Sequence, residues 1–307
     1  MEFVTPSFNL DGVFNMGQRE IASMNGKIFD LKDAKISVLD HCFLYGDGVF
    51  EGIRLINRKI LLHKEHMERL YNSARAMRIP MVSKQEYEKQ LFKAIKASKF
   101  NSGYLRVVLT RGIGDLGINP LKCLNPQLII IVTSLRLYPK ELYEKGLKVI
   151  IAKTKKIPNT CLDFRVKSCN YLNNVMAAWE YTRKADEAIM TDDHGIVSEA
   201  TLDNIFGIKG NTLFTPSQET NCLSGVTRIK IMDLARGQGM KVIEGKYRVG
   251  KFVSADEVFL TGTAAGIVPV TRIEKHKIGN GKIGARTKKL RDEYESRIEE
   301  FCTSIKN

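Results

Sequence analysis

Two segments in the first half of the 307-residue chain are apolar on both faces. YLRVVLT at 104–110 and QLIIIVTSL at 127–135 are rich in β-branched residues, the pattern of strands buried in a sheet. Apolar residues at helical spacing precede them, first in 62–77 and again in 87–95. Helices alternating with buried strands predict a small α/β domain, which we place at residues 1–136.

The second half of the chain has a different pattern. Short strand-like segments, LKVIIAK, EAIMT, NTLFTP and EVFLTG, are separated by close turns, which is typical of a barrel-like sheet. Leu290, Tyr294, Ile298 and Phe301 are spaced to line one face of a C-terminal helix. We therefore predict a larger domain over 146–307, joined to the first by a polar, proline-interrupted linker at 137–145.

Composition excludes several classes of protein. The chain is 43% hydrophobic but has no uninterrupted apolar run of the roughly 18 residues that a membrane span needs, and its N-terminus lacks a basic leader with an apolar core. The six cysteines form no CxxC pair, so reduced thiols in a cytosolic protein are expected. The net charge of +14 comes from lysines and arginines scattered among acids, which indicates solvated helix faces and no nucleic-acid partner.

The histidines do not suggest a metal site. His63 and His66 are three residues apart, but no third ligand accompanies them. We interpret the pair as part of a helix surface and predict no metal.

Lys167 is the first candidate for chemistry. Apolar residues at helical spacing follow it, which predicts a helix with one buried face just after a partly enclosed lysine; they are Leu172, Val175, Met176 and Trp179. Enclosure lowers the pKa of a lysine and makes its amine a nucleophile at neutral pH. The residues alone favour the simpler alternative, an ordinary loop lysine at the surface.

Three other segments add complementary groups. NCLSGVTRIKIMDLA (221–235) predicts a helix whose first N–H groups could bind phosphate, and LTGTAAGIVPV (260–270) lets a ligand approach the backbone closely. Glu199 lies between a turn and a strand, where a buried carboxylate needs a cationic or hydrogen-bonding partner. An N-cap and a tight turn are the simpler alternatives for the first two segments. A lysine, an acid and a phosphate site together are what pyridoxal 5'-phosphate requires.

Seven segments, in order, resemble the class IV aminotransferases of fold type IV. They are YGDGVFEGIR (45–54), HKEHMERLYNSA (63–74), TRGIGDLG (110–117), KSCNYLNN (167–174), SEATLDNIF (198–206), LSGVTR (223–228) and GTAA (262–265). The resemblance implies an α+β, two-domain D-amino-acid-aminotransferase-like fold with pyridoxal 5'-phosphate between the domains. It also implies a homodimer or a higher homo-oligomer, in which the small domain of one subunit helps to close the other's active site.

The resemblance implies roles for individual residues. Lys167 would bind the cofactor covalently and move the proton at the substrate Cα, and Glu199 would pair with the protonated ring nitrogen. Arg69 would bind the phosphate, Leu223 would press on the ring, and Tyr171 would contact the 3'-hydroxyl region. The remaining predicted contacts, mainly to the phosphate, are Gly225, Val226, Thr227 and Thr263.

The resemblance also implies a substrate site. Tyr45, Phe50 and Tyr171 would form an aromatic wall for an apolar side chain, and Arg106 would bind the distal carboxylate of glutamate. The backbone of Ala264 and Ala265 would hold the α-carboxylate. Arg54 and Arg111 complete the predicted site, Arg111 being the residue that grips the α-carboxylate in D-amino-acid enzymes.

The expected reaction is amino transfer between L-branched-chain amino acids and 2-oxoglutarate. Two enzymes of the same family stay open as alternatives, a D-amino-acid aminotransferase and 4-amino-4-deoxychorismate lyase, as does an inactive binding protein. Gly266 and Leu202 depart from the residues often found in the family motifs, and the tryptophan common in the interdomain loop of branched-chain enzymes is replaced by one at Trp179. The chemistry is therefore more firmly implied than the substrate.

Overall fold

A computed structural model describes residues 18–134 and 137–305 of the protein. In chain order the strands are β1 (Ile21–Met24), β2 (Lys27–Asp30), β3 (Gly48–Ile56), β4 (Lys59–Leu61), β5 (Gly103–Thr110), β6 (Gln127–Thr133), β7 (Leu147–Ile151), β8 (Glu187–Thr191), β9 (Val197–Ala200), β10 (Asn204–Lys209), β11 (Thr212–Pro216), β12 (Lys241–Gly245), β13 (Glu257–Gly262), β14 (Gly266–Ile273), β15 (His276–Lys277) and β16 (Cys302–Ser304). The helices are α1 (His41–Tyr45), α2 (His63–Ala76), α3 (Lys84–Ser98), α4 (Lys140–Lys145), α5 (Leu172–Tyr181), α6 (Val226–Gly237), α7 (Val249–Val253) and α8 (Ala285–Ser296).

The first sheet is antiparallel throughout, with the strand order β16-β4-β3-β5-β6-β1-β2. Helices α2 and α3 cover one face and contribute Leu70, Leu91 and Ile95 to its core. The side chain of Ser83 accepts a hydrogen bond from the N–H of Glu86, which caps the start of α3. The helices and both buried strands predicted in this half are confirmed.

The second sheet runs β12-β11-β10-β13-β14-β7-β8-β9, with β15 paired to β14. The pairs β11–β12, β7–β14 and β7–β8 are parallel, and the other pairs are antiparallel. The end strand β9 also lies against β10 and β11, so the sheet curls back on itself. The predicted α+β fold with a barrel-like second sheet is confirmed.

One apolar cluster joins the two sheets. Leu61 and Leu62, at the end of the first sheet, pack with Ile231 of α6 and with Leu290 and Tyr294 of α8. All five side chains are buried. This shared core holds the two sheets in a fixed relation and so determines which residues face each other between them.

The proposed division at 1–136, 137–145 and 146–307 stays a prediction. Residues 135–136 lie outside the described ranges, and the linker region contains α4. After α8 the chain returns to the first sheet, where β16 pairs with β4. The C-terminal strand is therefore shared with the small domain, although its residues were assigned to the larger one.

The prediction for the helix after Lys167 is wrong in one respect. α5 forms, but its apolar residues are exposed, with Leu172 at 67% and Trp179 at 73% of full exposure. The helix instead turns Asn174 and Ala177 toward the sheet, where the Asn174 Nδ2 donates to the carbonyl of Thr201 at 2.6 Å. A small side chain lets the helix backbone approach β8 closely, so the apolar residues are left on the outer face.

The described part of the chain contains no helix with the length and apolar character needed to cross a bilayer.

Candidate active site

A cavity of about 500 Å³ opens between the two sheets. Strands β3 and β5, the loop that carries Lys167, the start of α6 and the β13–β14 turn all contribute to its wall. The predicted site residues in its lining are Phe50, Arg69, Arg106, Lys167, Tyr171, Leu223, Gly225, Val226, Thr227, Thr263 and Ala264. Segments far apart in the sequence are thus brought together at one place.

Backbone pairing with the first sheet holds Lys167. The carbonyl of Lys167 accepts from the N–H of Phe50 at 2.9 Å, and its own N–H donates to the Ser73 Oγ at 3.1 Å. The Nζ donates to the Tyr171 hydroxyl at 3.1 Å and lies 4.5 Å from the centroid of the Phe50 ring. The amine is therefore directed into the cavity between two aromatic rings.

The surroundings of Lys167 favour its neutral amine. Burial lowers the pKa of Lys167 to about 8, and the positive charges of Arg69 and Arg106 act in the same direction, against the opposing charges of Glu51 and Glu199. A lowered pKa leaves more of the amine uncharged near neutral pH, which a nucleophile or proton acceptor requires. The enclosure predicted for Lys167 is confirmed, although α5 does not provide it.

Glu199 is buried on β9, just behind the cavity wall. Its Oε1 accepts from the Nζ of Lys156 at 2.6 Å, and its Oε2 accepts from the Asn204 Nδ2 at 3.1 Å and the Leu223 N–H at 2.9 Å. The partner that a buried carboxylate requires is thus present, and it is a lysine that the sequence did not suggest.

Arg69 of α2 is held by Glu51 of β3. Its Nε and Nη2 donate to the Glu51 carboxylate at 2.6 and 2.8 Å, and its Nη1 donates to the carbonyl of Ser224 at 2.9 Å. Burial would raise the pKa of Glu51, but Arg69 and His66 outweigh that effect and hold this pKa well below its usual range. The arginine of α2 is therefore held in place by a buried carboxylate of β3.

The interpretation of His63 and His66 as a helix surface is wrong, because both side chains are buried. The His66 Nδ1 lies 2.8 Å from the Glu51 carboxylate, and its Nε2 lies 3.4 Å from the Thr263 Oγ1. His66 thus links the Arg69–Glu51 pair to the β13–β14 turn. Among residues 18–134 and 137–305, no group of three or more His, Cys, Asp or Glu side chains is arranged to hold a metal ion.

The start of α6 faces the cavity. Gly225 is its N-cap and no acidic residue lies in its first turn, so the positive end of the helix dipole is uncompensated there. A β-carbon at Gly225 would come within 2.1 Å of the Asn204 Oδ1, so only glycine allows this close approach. The first N–H groups of the helix, which include those of Val226 and Thr227, have no partner within it.

The opposite wall is aromatic and carries one predicted arginine. The Arg106 guanidinium lies 4.4 Å from the Phe50 ring centroid and 5.8 Å from that of Tyr104. Phe50 and Tyr171 form an edge-to-face pair with centroids 5.1 Å apart. Gly52 makes room for this wall, because a β-carbon there would lie 1.9 Å from the Tyr104 hydroxyl.

Five predicted site residues lie outside the cavity lining. The Tyr45 hydroxyl donates to the carbonyl of Leu116, Arg54 forms an ion pair with Glu295 at 3.5 Å, and Arg111 donates to both oxygens of Asp47 at 2.7 and 3.0 Å. The other two are Ala265, which is buried beside Ala264, and Glu199. Their proposed roles stay predictions.

Sequence reasoning missed four residues of this region: Glu51, Tyr104, Lys156 and Asp203. Tyr104 could have been predicted from the sequence, because it is two residues before Arg106 on the same strand and so lies on the same face. Glu51 likewise stands in the motif VFEG on β3. Lys156 gave no such signal, since it meets Glu199 only through the pairing of distant segments.

The comparisons with known proteins agree with this geometry. Residues 48–273 match the family described as amino-transferase class IV. The chain belongs to the class IV aminotransferase family. It is 41% identical over 273 residues to a putative branched-chain-amino-acid aminotransferase of Methanocaldococcus jannaschii, covering 88% of this chain and 94% of that protein.

Solved structures of the class IV aminotransferase family share the fold. The Escherichia coli branched-chain amino acid aminotransferase superposes with a TM-score of 0.89 at 28% identity, covering 94% of this chain and 100% of that one. The T.th. branched-chain amino acid aminotransferase complexed with N-(5'-phosphopyridoxyl)-L-glutamate gives a TM-score of 0.87 at 30% identity, covering 94% and 99%.

Class IV aminotransferases depend on pyridoxal 5'-phosphate, and the residues present fit that group. Of the five N–H donors of Arg69, three are used by Glu51 and Ser224, which leaves two for a phosphate. The buried Thr261 Oγ1, also in the cavity wall, has no hydrogen-bond partner among the described residues. Cationic donors, a helix start and an unsatisfied hydroxyl suit a small, phosphorylated ligand.

Proposed function

We propose that the protein transfers the amino group between L-branched-chain amino acids and 2-oxoglutarate. The observation that carries the proposal is the position of the Lys167 amine. The amine points into a cavity, and the cavity wall also contains the aromatic rings of Phe50 and Tyr104 and the Arg106 guanidinium. Apolar and cationic groups on one wall suit a pair of substrates of which one is apolar and the other carries a second carboxylate.

Pyridoxal 5'-phosphate, when bound, supplies the electron sink that stabilises negative charge at the substrate Cα. Arg69, Thr263 and the start of α6 would hold its phosphate, and Leu223 would lie against its ring. Glu199 would bind the ring nitrogen. These assignments follow the family motifs, and all but Glu199 line the cavity.

Lys167 would carry the proton at the substrate Cα. Its pKa of about 8 makes the amine able to accept a proton near neutral pH and to return it. The Tyr171 hydroxyl, 3.1 Å from the Nζ, restricts where the amine can point. The direction from which the amine would approach the substrate Cα is thus restricted.

The substrate side chain would lie against Phe50 and Tyr104. An apolar pocket of this kind discriminates between side chains by about 1 to 3 kcal/mol per methylene. Arg106 would bind the distal carboxylate of glutamate or 2-oxoglutarate, because its planar fork matches carboxylate oxygens. The backbone at Ala264 and Ala265 would hold the α-carboxylate common to both substrates.

The position of Arg111 supports the L-specific reaction. The D-amino-acid alternative rested on this residue gripping the α-carboxylate. Its guanidinium instead donates to Asp47 and to the carbonyls of Met77 and Arg78, at 2.7 and 2.9 Å, outside the cavity lining. Moving Arg111 to a substrate would break these four hydrogen bonds.

We propose that the active form is a homodimer. Two exposed apolar sets support this, the outer face of α5 and the loops around 113–124; the largest exposed members of the loop set are Leu116, Ile118, Leu121 and Leu124. Large exposed apolar side chains grouped in this way are typical of protein interfaces. By the family's arrangement, the loop set would help to close the partner's cavity. The cytosolic location stays a prediction.

The test is an amino-donor and keto-acid panel with the purified, cofactor-loaded protein. We expect L-leucine, L-isoleucine and L-valine to be converted with 2-oxoglutarate as acceptor, and D-alanine to be a poor donor. Faster turnover of D-alanine than of L-leucine would overturn the substrate assignment. Release of pyruvate from aminodeoxychorismate without amino transfer would identify the lyase instead.

A further inference from the structure

The ion pair between Lys156 and Glu199 stands apart from the ion pairs at the protein surface. The Nζ–Oε1 distance is 2.6 Å, and the two side chains are only 1% and 9% exposed. Removing two charges from water costs several kcal/mol per ion unless geometry and further hydrogen bonds compensate. A pair of apolar side chains would fill this space at lower cost, so the charge itself needs an explanation.

Lys156 is held from three sides. Its backbone N–H donates to the carbonyl of Thr191 at 2.9 Å, and its ammonium lies 3.9 Å from the centroid of the Phe164 ring. Phe164 is itself buried, and its N–H donates to the Asn221 Oδ1. The ammonium therefore has a fixed position, with the face of an aromatic ring on one side and a carboxylate on the other.

The two oxygens of Glu199 have separate partners. Lys156 donates to Oε1, while Asn204 and the N–H of Leu223 donate to Oε2. Both Asn204 and Leu223 line the cavity, whereas Lys156 does not. The carboxylate is thus oriented by donors from three parts of the chain, and the one that carries a charge lies behind the cavity wall.

We propose that Lys156 is a positioning residue that orients Glu199 toward the ring nitrogen of pyridoxal 5'-phosphate. An ion pair at one oxygen and two hydrogen bonds at the other fix the direction of the Glu199 carboxylate. The inference rests on the proposed role of Glu199 in cofactor binding.

The experiment is a double-mutant cycle in the cofactor-loaded protein. Lys156→Met removes the charge at similar volume, Glu199→Gln removes its partner, and the double variant removes both charges. Lys155→Met is the matched control, because Lys155 is exposed and its Nζ contacts the Thr191 Oγ1 at 2.9 Å without reaching Glu199. Lys156→Arg tests rescue by a second cation.

Two readouts are measured for each variant, the absorbance spectrum of the bound cofactor and kcat. We expect Lys156→Met to shift the spectrum toward that of Glu199→Gln. It should lower kcat by about 10- to 100-fold, the range found when residues that hydrogen-bond to metal ligands are removed. In the Glu199→Gln background the same substitution should change neither readout. Lys156→Arg should recover most of kcat, and Lys155→Met should match the parent.

A purely structural lysine gives a different result. The melting temperature would fall while the spectrum stayed that of the parent, or kcat would fall by the same factor in both backgrounds; either outcome overturns the proposal. If Lys156→Met does not fold, the double variant, which carries no unpaired charge, is compared with Glu199→Gln. A difference in spectrum between these two variants would also overturn the proposal. The spectrum requires no amino-acid substrate, so it decides the role of Lys156 even if the proposed substrates are wrong.

Discussion

The Glu51 carboxylate accepts hydrogen bonds from Arg69 at 2.6 and 2.8 Å while being fully buried. Arg69 uses the rest of its fork for the Ser224 carbonyl and the proposed phosphate. The arginine proposed to bind the phosphate is thus itself bound by an acid on β3. Such an arrangement orients the guanidinium before any ligand arrives, which reduces the entropy lost on binding.

Glu51→Gln should therefore weaken retention of the cofactor more than it slows turnover of the loaded protein. The amide cannot pair with the charge of Arg69, and a buried cation left without its partner costs about 3 to 5 kcal/mol of stability. Cofactor dissociation is measured by dialysis and absorbance, with the exposed Glu68→Gln on the same helix as Arg69 serving as control. Equal cofactor loading of Glu51→Gln and the control would contradict the anchoring role.

Lys167→Ala should abolish turnover and the visible absorbance of lysine-bound cofactor while leaving the fold intact. The side chain lies in an open cavity, so its removal leaves no buried cavity behind. Turnover and spectra are measured beside Lys64→Ala, an exposed lysine, and circular dichroism reports the fold. A variant that retained substantial transaminase activity would remove the central claim.

Arg106→Ala should impair glutamate far more than leucine. A hydrogen bond to a charged group contributes about 1.5 to 3 kcal/mol, so kcat/KM for glutamate should fall by about 10- to 100-fold. The effect on leucine should be smaller, because only the contacts with the Phe50 and Tyr104 rings are lost on the apolar side. Arg75→Ala, on the exposed side of α2, serves as control. Equal losses for both substrates would place the distal carboxylate elsewhere.

Glu187 gives a prediction for the pH dependence of stability. Burial raises the pKa of Glu187 to about 7, against the hydrogen bond from Thr201, and the Tyr138 hydroxyl lies 3.3 Å from its Oε2. A carboxyl whose pKa is raised on folding stabilises the protein fully below its unfolded pKa and loses that contribution as pH rises through the folded value.

The stability of the parent relative to Glu187→Gln should therefore fall between about pH 4.5 and 7, by roughly 1 to 3 kcal/mol. Urea unfolding of both proteins across this range gives the difference directly. A difference that is independent of pH would show that Glu187 is already ionised in the folded protein.

Val175→Asp should dissociate the proposed homodimer. Val175 is 49% exposed on the outer face of α5, and a carboxylate there would be desolvated by a partner. Sedimentation or light scattering reports the mass, and Lys184→Asp, just after the helix, is a control that makes the net charge more negative still. A monomeric parent protein would contradict the proposed homodimer, and a variant that stays dimeric would place the interface elsewhere.

Local periodicity determined most of the elements. EAIMT and EVFLTG coincide with β8 and β13, and the helix predicted over 62–77 is found at His63–Ala76. Alternation and helical spacing of apolar residues reflect contacts within a few residues, so strands and helices can be predicted from them without knowledge of the fold. The motif around Lys167 likewise indicated the candidate cofactor site, because it consists of adjacent residues.

Only the tertiary structure decided which side each element faces and which distant groups meet. Spacing alone could not show that the apolar face of α5 points outward, because that depends on the sheet beneath it. Nor could it separate Arg106, which lines the cavity, from Arg111, which is held by Asp47. Lys156 and Glu199 are 43 residues apart, and their contact exists because the backbone around Lys156 pairs with Thr191 at the end of β8, beside β9. Such pairings depend on the long-range fold, which a local pattern does not contain.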